Sequence, residues 1–334
     1  MIRFIARRLV LLVPILLGLS LLLFIWLRAL PGGPAQALLG ERATPESVAR
    51  IEKLYGLDRP LPQQYLSFLQ RAVVLDFGSS VRTNEPVAEE LKRRFPATIE
   101  LAIGAMIFAT GLGIPLGYYA ARRHGTWVDN TSVVGSLLGI AIPVFFLAFL
   151  LKYIFAVQLG WLPTSGRQDP RLDTEYPTGF YVLDGILTGN LPAAWDAAQH
   201  LILPAIALGT IPLAIIVRIT RASVLDVVNE DYVRTGEAKG LLKRTVDRRY
   251  VLRNAMLPVT TIIGLQLGLL LSGAVLTETV FAFPGVGGFL YSSIFVRDYS
   301  VIVGFTLVIA IIFSIVNLIV DIAYGFIDPR VRVQ

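Results

Sequence analysis

The sequence predicts an all-α polytopic membrane protein that crosses the bilayer six times. Three observations carry that reading. Of the 334 residues, 54% are apolar and the mean hydropathy is +0.65, values that point away from a soluble globular chain. Apolar runs of roughly spanning length recur at 9–27, 99–121, 131–157, 201–217, 259–281 and 301–327. Basic residues gather in the short connections of one side: Arg3, Arg7 and Arg8, then Arg122 and Arg123, then the stretch after residue 229. Lys and Arg in short loops mark the cytoplasmic side, so six spans put both termini there.

Composition also excludes several functions. A formal net charge of +6 raises nucleic acid as a partner, but the basic residues sit beside apolar spans, where topology accounts for them. Cysteine is absent, which removes disulfides and thiolate metal sites, and His124 and His200 alone cannot build a histidine-rich metal centre. The chain has no Gly-x-x-x-x-Gly-Lys-Ser/Thr loop, no nucleophile elbow and no His-Glu-x-x-His, so no catalytic residue is expected. Asp76-Phe77-Gly78 spells a kinase tripeptide without the other kinase motifs and reads as coincidence. Gly111 and Gly113 lie in an apolar run, where close spacing serves packing rather than phosphate binding.

Taken in order, residues 1–28 form the first transmembrane helix. Ala35-Gln36-Ala37 imitates a signal-peptide cleavage site, but the preceding run exceeds a signal core. Residues 29–96 form an external helical cap. Thr44 before Pro45 starts a helix that Tyr55-Gly56 ends, and Pro60 and Pro62 punctuate before a second stretch at 64–69. At more than about 60 residues this segment escapes the charge rule, so Lys92, Arg93 and Arg94 do not oppose the orientation. Residues 97–334 carry the remaining five spans as one core domain. The pairs Gly113/Gly117 and Gly135/Gly139 suit close helix contacts, and Lys152 is placed to snorkel. Residues 158–200 form an irregular second external loop. Pro204 and Pro212 mark kink positions in the fourth run, and residues 283–289 make an outer turn with partial re-entry. Trp26, Trp127, Trp161 and Trp195 fall near span ends, where indole prefers the interface.

Within the loop at 223–258, residues 229–258 are the longest charged stretch between two apolar spans. Its first part reads as a short helix: Asn229 as N-cap, Glu230 and Asp231 in the first turn, Lys239 in the last, Gly240 as terminator. Glu230 and Arg234 are spaced to pair. Tyr232, Val233, Gly236 and Gly240 define a narrow face that a second surface can approach. From Leu242 a second amphipathic pattern sets Leu242, Val246 and Tyr250 against Lys243, Arg244, Arg248, Arg249 and Arg253, suited to the inner membrane surface.

Tyr232, Val233, Arg234, Thr235, Gly236, Glu237, Ala238, Lys239, Gly240 and Leu241, followed by Leu252-Arg253-Asn254-Ala255-Met256-Leu257-Pro258, resemble the cytoplasmic coupling loop of ABC importer permeases. The likeness is to the dipeptide/oligopeptide/nickel branch, whose pattern is Tyr-Val-Arg-Thr-Ala-Arg-Ala-Lys-Gly-Leu. Gly236 and Glu237 depart from it. The resemblance covers nearly the whole chain, with residues 165–195 standing apart. It implies the type I ABC importer permease fold and the role of membrane subunit in an ATP-driven peptide importer, with nickel chelates or haem as other cargoes of the branch. Implied partners are a homologous sister permease, two cytoplasmic ATPase domains and an external substrate-binding protein, in a bacterial or archaeal cytoplasmic membrane. ATP and Mg would reside on the ATPase subunits, with no cofactor on this chain. Residues 232–241 are then the ATPase-coupling site. A competing reading is a self-sufficient carrier driven by an ion gradient, its basic loop only a topology signal.

A charge at bilayer depth costs ~2.5–3.5 kcal/mol on insertion scales, so intramembrane polar groups face protein or water. Glu100, Gln266 and Glu278 are the candidate lining of a translocation path. For Glu100 and Glu278 the alternative is interfacial anchoring or a helix–helix hydrogen bond. Asn317 and Asp321 read as contacts to neighbouring helices.

Overall fold

A computed structural model describes residues 2–29, 33–39, 43–172 and 174–327. Among the described residues there is no strand, only an isolated antiparallel bridge between Ser79 and Pro86. The first helices are α1 (Ile2–Arg28), α2 (Gly33–Leu39), α3 (Pro45–Tyr55), α4 (Leu61–Val73), α5 (Val87–Arg122) and α6 (Trp127–Ala141). Then come α7 (Val144–Leu151), extended by a π-helical turn (Lys152–Gln158), α8 (Tyr181–Leu187), α9 (Leu191–Val228) and α10 (Asp231–Ala238). The chain continues through α11 (Lys243–Thr245), a second π-helical turn (Val246–Leu252), α12 (Arg253–Gly273), α13 (Val275–Val280), α14 (Val286–Phe295) and α15 (Tyr299–Ile327). Five helices are long and apolar enough to cross a membrane, and the bent pair α6–α7 makes a sixth crossing if counted as one. By packing, the described chain divides into two compact units: Ile2–Thr98 with Pro284–Ile315, and Ile99–Phe283 with residues 316–327.

In the first unit, α1 presents Val10, Val13, Ile15, Leu22 and Ile25 outward, as a lipid-solvated helix does. Helix α3 begins where its sequence says. Thr44 and Ser47 satisfy each other's backbone N–H groups in a capping box, and Gly56 closes the helix at φ +61°. Helix α4 docks on α1: the Ser20 and Tyr65 hydroxyls are 2.8 Å apart, Arg28 donates to Gln64, and Phe24 meets the Tyr65 ring. The core joins Leu23, Phe77, Val87, Leu91, Phe289 and Phe305, so Phe77 of the kinase-like tripeptide is a packing residue. Arg93 and Arg94 both bond the buried carboxylate of Glu90. Asp298 caps α15 by accepting from the Val301 N–H at 3.3 Å and takes the Ser80 hydroxyl at 2.6 Å.

The second unit is organised around α9. Helix α5 approaches it through glycine: a Cβ on Gly117 would stand 2.6 Å from the Val217 carbonyl oxygen, and one on Gly209 2.7 Å from that of Ala105. Gly139 of α6 also faces α9, at Thr210, whereas Gly135 meets nothing within 4 Å and so does not act as a pair with it. Ala148, Ala156, Leu203, Ala207 and Phe281 form a further cluster.

Several elements differ from the sequence expectation. The run at 131–157 is broken at Ile142-Pro143 and bends by 101°. Proline lacks an N–H and pushes the preceding residue out of the helical region; Ile142 sits at φ −79°, ψ 123°. Pro204 and Pro212, by contrast, lie inside an unbroken 38-residue α9. At ~1.5 Å per residue, α5 and α9 exceed the ~30 Å hydrocarbon thickness, so both extend past the apolar runs read from sequence. The run at 259–281 splits at Ala274 into α12 and α13. Lys152 donates to the Val280 carbonyl oxygen at 2.8 Å, stabilising the end of α13 instead of snorkelling. The side chain of Asp321 lies outside the described residues.

Candidate functional site: the loop around α10

Helix α9 ends at Val228, and Asn229 belongs to that end: its side chain donates to the Leu225 carbonyl oxygen at 2.9 Å. The N-cap of α10 is therefore Glu230, which makes no side-chain cap bond. No ion pair joins Glu230 to Arg234 among the described residues; the backbone N–H of Arg234 bonds the Glu230 carbonyl oxygen instead. The helix stops as its sequence demands. Gly240 adopts φ +72°, its N–H reaches the Glu237 carbonyl oxygen at 2.9 Å, and the Leu241 N–H reaches that of Gly236 at 3.3 Å. Those two bonds are a Schellman motif, which a residue without Cβ closes at no steric cost.

Two of the ten predicted coupling residues turn inward. Val233 is 2% exposed and packs in a cluster with Ala121, Val224, Val246, Val251 and Ala255. Gly236 is buried one turn later, and a Cβ there would meet Leu241 at 3.7 Å and Val246 at 3.8 Å. The face expected to receive another surface is thus divided. Val233 and Gly236 seat the helix on its own chain, while Tyr232, Arg234, Thr235, Glu237, Ala238, Lys239, Gly240 and Leu241 are exposed.

The seat is built from four elements. Beyond α10, α11 and its π-helical turn run without interruption into α12, a single helix from Lys243 to Leu271 rather than a separate surface helix. Leu242 is 78% exposed, apart from Val246 and Tyr250, because it is the N-cap, with non-helical backbone (φ −55°, ψ 132°) ahead of the first turn. Arg122, the last residue of α5, pairs with Asp247 of that turn at 3.0 Å. Asp129 of α6 pairs with Arg221 of α9. Neither pair was singled out from the sequence. For Asp129 and Arg221 the available signal was an acid and a base at the ends of mostly apolar runs, where each needs a partner.

The candidate path residues lie elsewhere in the same unit. Glu100 has both oxygens engaged: one accepts from Arg167 at 2.6 Å, the other from the Val182 N–H at 2.9 Å. Arg167 also donates to the Gly179 carbonyl oxygen at 2.9 Å and lies 3.8 Å over the Tyr181 ring. Tyr181 stacks on Tyr176 at 3.9 Å, and burial pushes its hydroxyl pKa above the ordinary phenol value. Glu100 thus holds the stretch from 165 to 195 in place. Gln266 is buried in α12 and Glu278 in α13. No group of three His, Asp or Glu side chains able to hold a metal is present among the described residues.

Residues 113–333 match the family described as binding-protein-dependent transport system inner membrane component, and residues 1–102 match the N-terminal part of such membrane components. The chain is 45% identical over 332 residues to the dipeptide transport system permease protein DppB of Alkalihalophilus pseudofirmus, covering 99% of this chain and 100% of that one. It is 46% identical over 335 residues to the di/tripeptide transport system permease protein DppB of Pseudomonas aeruginosa, with both chains fully covered (100%). It is 38% identical over 332 residues to the glutathione transport system permease protein GsiC of Escherichia coli, covering 99% of each. Among solved structures, the inward-facing MetNI methionine ABC transporter shares the fold, with a TM-score of 0.50 and 15% identity over 70% of this chain and 93% of that one.

Proposed function

The chain belongs to the family of binding-protein-dependent transport system inner membrane components, and from that premise we propose that it is the permease of a peptide importer driven through α10. It is a multi-pass protein of the inner membrane. The single observation that supports the coupling role is the build of α10: a short helix, rigidly ended by Gly240 and seated by Val233 and Gly236, that leaves its other side chains exposed. Such a helix offers a firm surface to a second protein, because its ordering cost is met within its own chain.

On this reading, two ATPase domains carry ATP and Mg and grip α10 and its counterpart on a sister permease, while an external binding protein delivers substrate. This chain performs no catalysis. Small peptides are the cargo, as the printed names of the dipeptide and di/tripeptide relatives suggest. Glu100, Gln266 and Glu278 remain the proposed polar lining of the path. Residues 1–28, 29–96 and 97–334 remain the proposed division into first span, external cap and core, with both termini inside.

Reconstitution tests the function. The full complex takes up labelled dipeptide in an ATP-dependent way, and this chain alone moves none, with or without an ion gradient. Gradient-driven uptake by the chain alone would support a secondary carrier instead. Orientation is tested with single cysteines in a chain that has none of its own. Cysteines at Ser47, Arg171 and Ser292 react with an impermeant external reagent, and those at Thr126 and Thr245 do not. External labelling at Thr245 inverts the topology.

A further inference from the structure

Asp129 lies in the first turn of α6 and is 2% exposed, a place where a carboxylate needs its lone pairs satisfied. Arg221 of α9 forks onto it, with Nε donating to Oδ1 and Nη2 to Oδ2, the latter at 2.8 Å. The Gly125 backbone N–H donates to Oδ2 at 3.0 Å, and His124 Nδ1 lies 2.9 Å from the same oxygen.

The location of the fork gives it consequence. Arg221 stands two turns above the end of α9, directly before α10. On its other side α9 is held by α5, where a Cβ on Gly117 would be 2.7 Å from the Thr220 side chain and 3.2 Å from the Arg221 backbone nitrogen. On α6, Gly135, six residues past Asp129, meets nothing within 4 Å. Between the fork and the contact of Gly139 with Thr210, a cleft of about 310 Å³ opens, lined in part by Thr131, Ser132, Gly135, Ser136, Leu213 and Val217. Surfaces facing a gap gain no dispersion attraction across it. The hydroxyls there do not bridge it either: Thr131, Ser132 and Ser136 each donate back to a carbonyl oxygen of α6 itself. The fork is what ties this end of α6 to α9.

We propose that the Asp129–Arg221 pair is a positioning clamp that makes α6 move with α9, so that motion received at α10 reaches the bent span α6–α7. The proposal rests on α10 being the ATPase contact. A lysine at 221 keeps the charge but not the planar fork, so it does not replace arginine.

Importers carrying Asp129→Asn or Arg221→Lys are reconstituted with their ATPase and binding-protein partners, and dipeptide uptake is measured per ATP hydrolysed. Substrate-stimulated hydrolysis persists, while uptake per ATP falls by about fivefold or more, the scale of a lost coupling between sites. A double variant, Asp129→Cys with Arg221→Cys, supplies the rescue in complexes whose partners lack reactive thiols. Bridging the cysteines with a short, reducible bifunctional reagent restores uptake per ATP, and reduction removes it again. A role in folding alone predicts less complex but wild-type uptake per ATP in what survives, and that result overturns the clamp. So does a bridged pair that stays uncoupled, or a failure of every variant to assemble even when bridged. Gly240→Val, measured alongside, separates this from the α10 reading. Full activity in that variant with uncoupling in the clamp variants would discard the α10 contact, whereas the reverse pattern would discard the clamp alone.

Discussion

Along α9, one face receives α5 through glycine and another receives α6 through an ion pair beside a cleft. The first contact is close packing on glycine: Gly113 admits the Ile216 side chain, and Gly117 admits the Val217 carbonyl oxygen and the Thr220 side chain, so closely that no side chain fits between. The second is a polar fork with empty space beyond it. Close packing transmits force in every direction and tolerates no added volume, whereas a charge pair fixes two points and leaves the rest free to repack. The α5–α9 pair is therefore expected to behave as a rigid body, and α6 as a part whose attachment at its N-terminal end is one polar joint, separated by the cleft from the Gly139 contact.

The largest test of that difference is Gly117→Leu. Its first added carbon meets the Val217 oxygen at 2.6 Å, and overpacking of this kind costs about 1–3 kcal/mol. Unfolding in mixed micelles measures it, and wild-type stability would show that the contact is loose. Next comes Arg122→Ala. Its partner Asp247 is 3.0 Å away, with the side chains 21% and 19% exposed, so the loss lies between the ~0–1 kcal/mol of an exposed pair and the ~3–5 kcal/mol of a fully buried one. Wild-type stability would show that the pair contributes nothing to this joint. Gly111→Ala should act in the opposite direction. It shares α5 with Gly117 but has nothing within 4 Å, so alanine stabilises the helix by about 0.5–1 kcal/mol. Gly236→Ala follows the same logic on the smaller α10. Its Cβ meets neighbours only at ordinary contact distance, so stability rises slightly and dipeptide uptake stays at the wild-type rate.

Local signals were legible wherever one residue type forces one backbone geometry. Thr44-Pro45 and Gly56 bound α3, and Gly240 ends α10, because capping and positive φ are decided within a few residues. What the sequence concealed depends on partners far along the chain. Pro143 breaks its run while Pro204 and Pro212 leave α9 intact, since tolerance of a missing N–H is set by surrounding helices. Asp129 and Arg221 lie 92 residues apart, and Glu100 and Arg167 lie 67 apart. Neither spacing has a period that one strand of text reveals. Leu242 is parted from Val246 because it is an extended N-cap outside the helix, which a 3.6-residue template begun at Leu242 cannot anticipate.

Both joints of α9 converge on its foot, where α10 leaves most of its side chains exposed, and the proposed contact of that side with an ATPase is the centre of the account. It is tested most directly by Gly240→Val in the reconstituted complex, reading substrate-stimulated ATP hydrolysis and dipeptide uptake, each normalised to the ATPase retained after purification. Gly240 holds φ +72° with open space around its Cβ position, so valine adds backbone strain of about 1–2 kcal/mol and a branched group on the exposed side, without touching the seat. The account predicts that the complex still assembles in part and that hydrolysis and uptake fall together. Activity equal to the wild type in both would remove α10 from the coupling role.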